Sequence, residues 1–133
     1  NLVLAPDAPG RVLAVLDWEL ATIGDPLFDL GYFLASVPES EAGLTPTEQL
    51  GTAMLEPGYL SRAELAARYA DRSGRDLTDL AWYQALALWK LAVLYEYGRR
   101  RAESGVGDDY YAGRAQVEAF LGAAHRTAGI PAP

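Results

Sequence analysis

Asn1 and Asp17 are the pair in this chain whose types and spacing suggest chemistry. Leu2 to Leu4 and Arg11 to Trp18 are apolar-rich runs on either side of Ala5-Pro-Asp-Ala-Pro-Gly10, a turn-forming stretch, so the spacing predicts a β-hairpin. With that loop, Leu4 lies opposite about Val12, and Asn1 falls opposite about Val15, within one or two residues of Asp17. Both side chains then meet at the open end. An amide oxygen beside a carboxylate suits a hard cation such as Mg2+, which takes few protein ligands and leaves room for water and phosphate oxygens. The strand entering Asp17, Val12 to Leu16, is apolar throughout and is expected to be buried, which would make an unpaired carboxylate at its end costly. Type and spacing alone leave two readings level: a metal pair, or an aspartate capping a turn beside an incidental asparagine.

The elements that must carry this pair are a hairpin over residues 1–18 and a helical subdomain over 25–133, one domain in all. Asp25 before Pro26 is an N-cap followed by a first-turn proline, and Leu27, Leu30, Phe33 and Leu34 continue at helical spacing to about Val37, where Pro38 ends the run. Residues 39–58 read as a loop with a short helix over Thr47 to Leu55. Ser61 and Glu64 form a capping box opening a helix that Gly74 stops after Ser73. The longest periodic segment runs from Thr78 to Glu103, apolar on its inner faces apart from Lys90, and closes on Arg99 to Arg101 and Gly105. A last helix spans about Asp109 to Ala128, with Val117, Phe120, Leu121 and Ala124 inward. The fold class is mainly α with a short N-terminal β-hairpin, a bundle of four or five helices.

Composition narrows the function. The chain has 133 residues, with 18 acidic against 11 basic ones and a formal charge of −7, which disfavours a nucleic-acid partner. No apolar run is long enough to span a bilayer, so no membrane partner is expected. The absence of cysteine excludes disulfides and thiolate metal sites, and fits a cytoplasmic location. His125 is alone and expected to be exposed near the end of the last helix. Trp82, Tyr83, Trp89, Tyr95 and Tyr97 recur at helical spacing and read as core before pocket. Arg99 to Arg101 suit a helix C-terminus, Gly105-Val-Gly107 lacks the strand context of a nucleotide loop, and no Gly-x-Ser-x-Gly elbow is present. The chain opens on Asn1, without methionine and directly into an apolar segment, and is expected to be a piece of a longer protein.

Leu16-Asp-Trp-Glu-Leu-Ala-Thr-Ile-Gly-Asp-Pro-Leu-Phe-Asp-Leu30 resembles the metal-binding segment of the aminoglycoside phosphotransferase (APH/choline kinase-like) family, especially the subgroup related to the phosphotransferase domain of acyl-CoA dehydrogenase fusion proteins. Trp82-Tyr-Gln-Ala-Leu-Ala-Leu-Trp-Lys-Leu-Ala92, followed by Arg99 to Arg101, is similar to the long helix of the same subgroup. The resemblance implies the helical C-terminal lobe of a protein-kinase-like fold, with Asn1 as the closing residue of a His-Gly-Asp-x-x-x-x-Asn catalytic loop. It implies that Asn1 and Asp17 hold Mg2+ on the phosphates of ATP, and that Asp29 is the family's buried aspartate accepting hydrogen bonds from the catalytic-loop backbone, with Asp25 in the same block. Helix capping is the simplest account of Asp25. Glu19 stands where protein kinases have glycine; it is a candidate for tuning the metal or facing the substrate, and a solvated loop carboxylate is at least as good an account. The implied reaction is transfer of a γ-phosphoryl group to a hydroxyl of a small molecule. Trp82, Tyr83, Trp89, Asp108 and Asp109 are the candidates for touching it, although core packing is the better account of the aromatics and helix capping explains the aspartates equally well. The catalytic aspartate and the ATP-gripping lobe would precede Asn1, so these 133 residues are expected to be inactive alone. The rival reading is a non-catalytic kinase-like helical binding module, against which the pairing of Asn1 with Asp17 argues.

Overall fold

The computed structural model describes residues 1–8, 10–19 and 21–130; Pro9 in the hairpin loop and Leu20 after the site fall outside the described residues. Strands β1 (Leu2–Leu4) and β2 (Val12–Val15) form an antiparallel hairpin. Five α-helices follow: α1 (Pro26–Ala35), α2 (Pro46–Gln49), α3 (Arg62–Ser73), α4 (Leu80–Glu103) and α5 (Arg114–Ala128), with single 3-10 turns at Thr52–Leu55 and Asp109–Tyr111.

Local chemistry sets most boundaries. Asp25 caps α1 through the Leu27 amide at 2.9 Å, with Pro26 in the first turn. Ser61 and Glu64 form the reciprocal capping box of α3, and Gly74 leaves that helix at φ +68°, a conformation without penalty for glycine. The short helix expected over Thr47 to Leu55 is instead two pieces. A break falls at Gly51, where the chain presses against Pro38 Cδ and Ser36 O so closely that a Cβ would lie 3.2 Å from each. The last helix starts at Arg114 rather than Asp109. Tyr111 leaves the helical path to pack over Gly98, where a Cβ would meet its ring at 2.8 Å. Helix α1 ends at Ala35, two residues before Val37.

The core lies between α4 and its two neighbours. Ala87, Leu88, Leu91, Ala92 and Tyr95 of α4 are buried against Ala35 on one side and Phe120 and Ala124 of α5 on the other. Tyr95 and Phe120 meet edge to face with ring centroids 4.8 Å apart. An ion-pair network binds the loop to the body: Arg62 donates to Val37 O at 3.1 Å and to Glu48 at 2.8 Å, and Glu48 in turn accepts from buried Thr45.

Three expectations fail on burial. The strand into Asp17 is not buried, since Leu13 is 54% and Leu16 52% exposed and both faces of the hairpin are open. Trp82, Trp89 and Tyr97 lie outside the core, on the face of α4 that neither α1 nor α5 covers; of the aromatic series only Tyr95 is fully inside. Leu121 is exposed and His125 half-buried, a reversal produced by the rotation of α5 that seats Phe120 and Ala124.

Candidate metal centre

The hairpin register brings the two candidate ligands together. A bulge between Val3 and Leu4 shifts the pairing so that Leu2 faces Val15, and the Leu16 amide donates to Asn1 O at 2.9 Å. Asp17 is therefore the next residue beyond the last rung. Its side chain accepts from Asn1 Nδ2 at 2.8 Å. Trp18 folds back, its indole N–H donating to Val15 O at 2.7 Å.

Asp17 has φ +66°, the one non-glycine residue at positive φ among those described. The left-handed region disfavours most side chains, and aspartate is among the few that visit it. This turn directs the carboxylate back across the strand end toward Asn1 instead of along the β2 axis. Asp17 is exposed, so the argument from a buried charge does not hold; what distinguishes this position is its backbone conformation and its pairing with Asn1. The amide oxygen of Asn1 and the second carboxylate oxygen of Asp17 have no partner among the described residues. Here Asn1 turns its Nδ2 and not its Oδ1 toward Asp17, so holding Mg2+ between the two oxygens requires the amide to turn over, with water and phosphate filling the remaining positions. No group of three or more acidic, histidine or cysteine side chains with metal-holding geometry occurs among the described residues, so any cation here would draw most of its coordination from elsewhere.

Glu19 follows on the same exposed turn and makes no ion pair among the described residues. Asp25 is more constrained: one of its oxygens caps α1 and the other accepts the hydroxyl of Tyr83 on α4. The Tyr83 hydrogen bond, and then the Leu27 amide, hold the Asp25 carboxyl below its usual range; the same carboxylate pushes the Tyr83 phenol up. Asp29 is exposed in the first turn of α1 and not buried as the resemblance implies, on the rim of a depression of about 180 Å³ that Thr22, Gly24 and Asp25 also line.

The remaining candidates do not converge. Trp82 meets Tyr83 edge to face at 4.9 Å near the start of α4, and Trp89 lies two turns further on. Asp108 caps the 3-10 turn through the Tyr110 amide at 2.9 Å and, with Tyr97 and Tyr111, lines a separate cleft beyond the other end of α4, while Asp109 is exposed in that turn. A polar cavity of about 310 Å³ between Arg62 and Arg126 shares no residue with the hairpin. Sequence reasoning missed the Asp25 to Tyr83 bond, for which no local pattern exists across 58 residues. It registered Lys90 as a lone charge on an apolar helix; the ammonium sits 4.2 Å from the centre of the Phe28 ring.

A family model described as a phosphotransferase enzyme family (APH) matches residues 1–86. The chain belongs to the APH phosphotransferase family. Its hairpin and helices are accordingly the helical lobe of the kinase-like fold of that family. The match takes in Asn1, Asp17, Glu19, Asp25, Asp29, Trp82 and Tyr83, and ends before Trp89, Asp108 and Asp109. Among curated proteins, the chain is 35% identical over 109 residues to acyl-CoA dehydrogenase family member 11 of Mus musculus, covering 76% of the chain and 13% of that protein. It is 36% identical over 94 residues to the Homo sapiens protein of the same name, covering 69% of the chain and 12% of that protein. It is 31% identical over 101 residues to an Arabidopsis thaliana protein named "Probable acyl-CoA dehydrogenase IBR3", covering 71% and 12%. The APH chain thus spans about an eighth of the length of the curated relatives it matches. No solved structure matches it. No helix among the described residues is long and apolar enough to cross a membrane.

Proposed function

We propose that this chain supplies the metal-holding part of an ATP-dependent phosphotransferase that phosphorylates a hydroxyl of a small molecule. The observation that carries the reading is the pairing of Asn1 with a left-handed Asp17 at the open end of the hairpin, in the segment the family model matches. In the reaction the acceptor oxygen bonds to the γ-phosphorus, the bond from that phosphorus to the β,γ-bridging oxygen breaks, and ADP leaves. The acceptor's proton passes to a base outside these 133 residues. When bound, Mg2+ neutralises charge on the phosphates. The task of this chain is positional: Asp17 and, once its amide turns over, Asn1 hold the cation from one edge, and Asp25 ties the following loop to the helices. Asp29 then serves the family's catalytic loop as an acceptor, and Glu19 lies beside the metal edge. The open faces of the hairpin are the surface on which the rest of the kinase-like fold would sit, a lobe of the same polypeptide. ATP as donor goes with a cytoplasmic setting.

Asp17→Asn tests this in the full-length polypeptide, because asparagine also tolerates positive φ and removes only the charge. Phosphoryl transfer should fall on the order of 10²- to 10³-fold, the scale for losing one preorganised electrostatic contact, and excess Mg2+ should recover part of it. An unchanged rate and Mg2+ dependence would sink the proposal. The 133-residue chain alone should release no ADP from ATP.

A further inference from the structure

We infer that Tyr83 is a positioning residue for the metal-bearing segment, acting through Asp25; the inference rests on the phosphotransferase reading above. One carboxylate does two jobs here. Asp25 Oδ1 accepts the Leu27 amide at 2.9 Å and so starts α1, while Oδ2 accepts the Tyr83 hydroxyl and so fastens that start to α4. Two further contacts fix the same pair of helices. Gly31 lies flat against the Tyr83 backbone, where a Cβ would come within 2.8 Å of Tyr83 C and Cβ, and the Phe28 ring carries Lys90 above it. Gly31 sets how closely α1 approaches α4, and the Tyr83 hydroxyl sets where along α4 the chain enters α1.

That entry point bears on the metal pair. The hairpin is open on both faces, so the loop from Asp17 to Asp25 is its covalent tether to the helical body, and the Asp25 to Tyr83 bond is where the tether is fastened. Tyr83 is half-buried with its hydroxyl committed to a carboxylate, which makes it a support for the loop and not a group presented to substrate. Outer contacts of this kind orient a ligand without touching the ion.

Tyr83→Phe deletes the hydroxyl and keeps the ring over Gly31. Mn2+ serves as a probe for the Mg2+ position, its dissociation constant read in the full-length polypeptide by water-proton relaxation, with Asp17→Ala as the blank. Tyr83→Phe should weaken Mn2+ binding about five- to tenfold, toward the lower end of what supporting contacts contribute to metal sites. It should lower kcat while leaving the acceptor KM unchanged, and leave thermal unfolding cooperative. Asp25→Ala combined with Tyr83→Phe should be no worse than Asp25→Ala alone, since Asp25→Ala already removes the bond to Tyr83. Unaltered Mn2+ affinity in Tyr83→Phe, or strictly additive losses in the double variant, overturns the inference. A wild-type protein that binds Mn2+ and loses affinity on Tyr83→Phe, yet transfers no phosphoryl group, overturns the phosphotransferase reading and leaves the positioning role standing. A wild-type protein that binds no Mn2+ above the Asp17→Ala blank overturns both.

Discussion

Two identical substitutions in two helices should have opposite signs. Gly31 and Gly122 both lie inside helices, α1 and α5, where glycine costs about 1 kcal/mol relative to alanine. At Gly122 a new methyl meets only the Arg126 guanidinium, at 3.3 Å, the far end of a flexible side chain that can swing away. Gly122→Ala should therefore keep most of the gain and stabilise the chain by somewhat under about 1 kcal/mol. At Gly31 the methyl meets Tyr83 C and Cβ at 2.8 Å and Gln84 N at 3.0 Å. Those atoms belong to the frame of α4, and the approach is about 0.7 Å short of a ~3.5 Å carbon contact. Relief requires α1 and α4 to part along their whole contact, including Leu30 and Leu34. Overpacking of this kind costs about 1–3 kcal/mol, and clash with backbone belongs at the upper end. After the propensity gain, Gly31→Ala should destabilise by about 2 kcal/mol, a fall in Tm of roughly 8 °C for a domain of this size. Urea and thermal melts of both variants beside wild type measure the two signs. A Gly31→Ala protein as stable as wild type would refute the reasoning, because it would mean that the helices do not meet through backbone at this point.

Phe120 is fully buried between Tyr95 and the inner face of α4, so Phe120→Ala should cost about 3–5 kcal/mol in denaturant titration; a loss under about 1 kcal/mol would show that the cluster is not the core. Glu96 carries hydrogen bonds from Arg99 and Arg100 that hold its pKa down to about 2. A depressed carboxyl contributes stability that is present above its unfolded value of 4.5 and is lost as pH falls toward 2. Glu96→Gln should flatten the stability profile across that window and leave its neutral limb parallel to wild type; an unchanged acid limb would show that the cluster is solvated in solution.

Short-range rules were legible and long-range ones were not. The Asp25 and Pro26 start, the Ser61 to Glu64 box and the Gly74 stop each involve residues within four positions, and each formed as its chemistry requires. The meeting of Asn1 with Asp17 was also legible, because loop length fixes strand register; the bulge displaced the pairing by one residue without separating the side chains. Burial was legible only in part. An apolar period reports that a face prefers cover, not that a neighbour is there, which is why Val12 to Leu16, Trp82 and Trp89 read as inside and stand outside. The Arg62 bonds to Val37 and Glu48, and the Tyr83 bond to Asp25, join residues 14 to 58 positions apart. No local spacing encodes such partners; they follow from how the helices dock.

The left-handed backbone at Asp17 also narrows what evolution can write there. Positive φ passes glycine freely and asparagine or aspartate at small cost, and turns away β-branched and bulky residues whatever ligand is nearby. The fold thus admits about three residue types before any question of metal arises, and only one of them is charged. In a homologous chain, asparagine or glycine at this position would mark a lineage that kept the turn and gave up the charge, whereas valine or leucine would mark one whose strand end had been rebuilt.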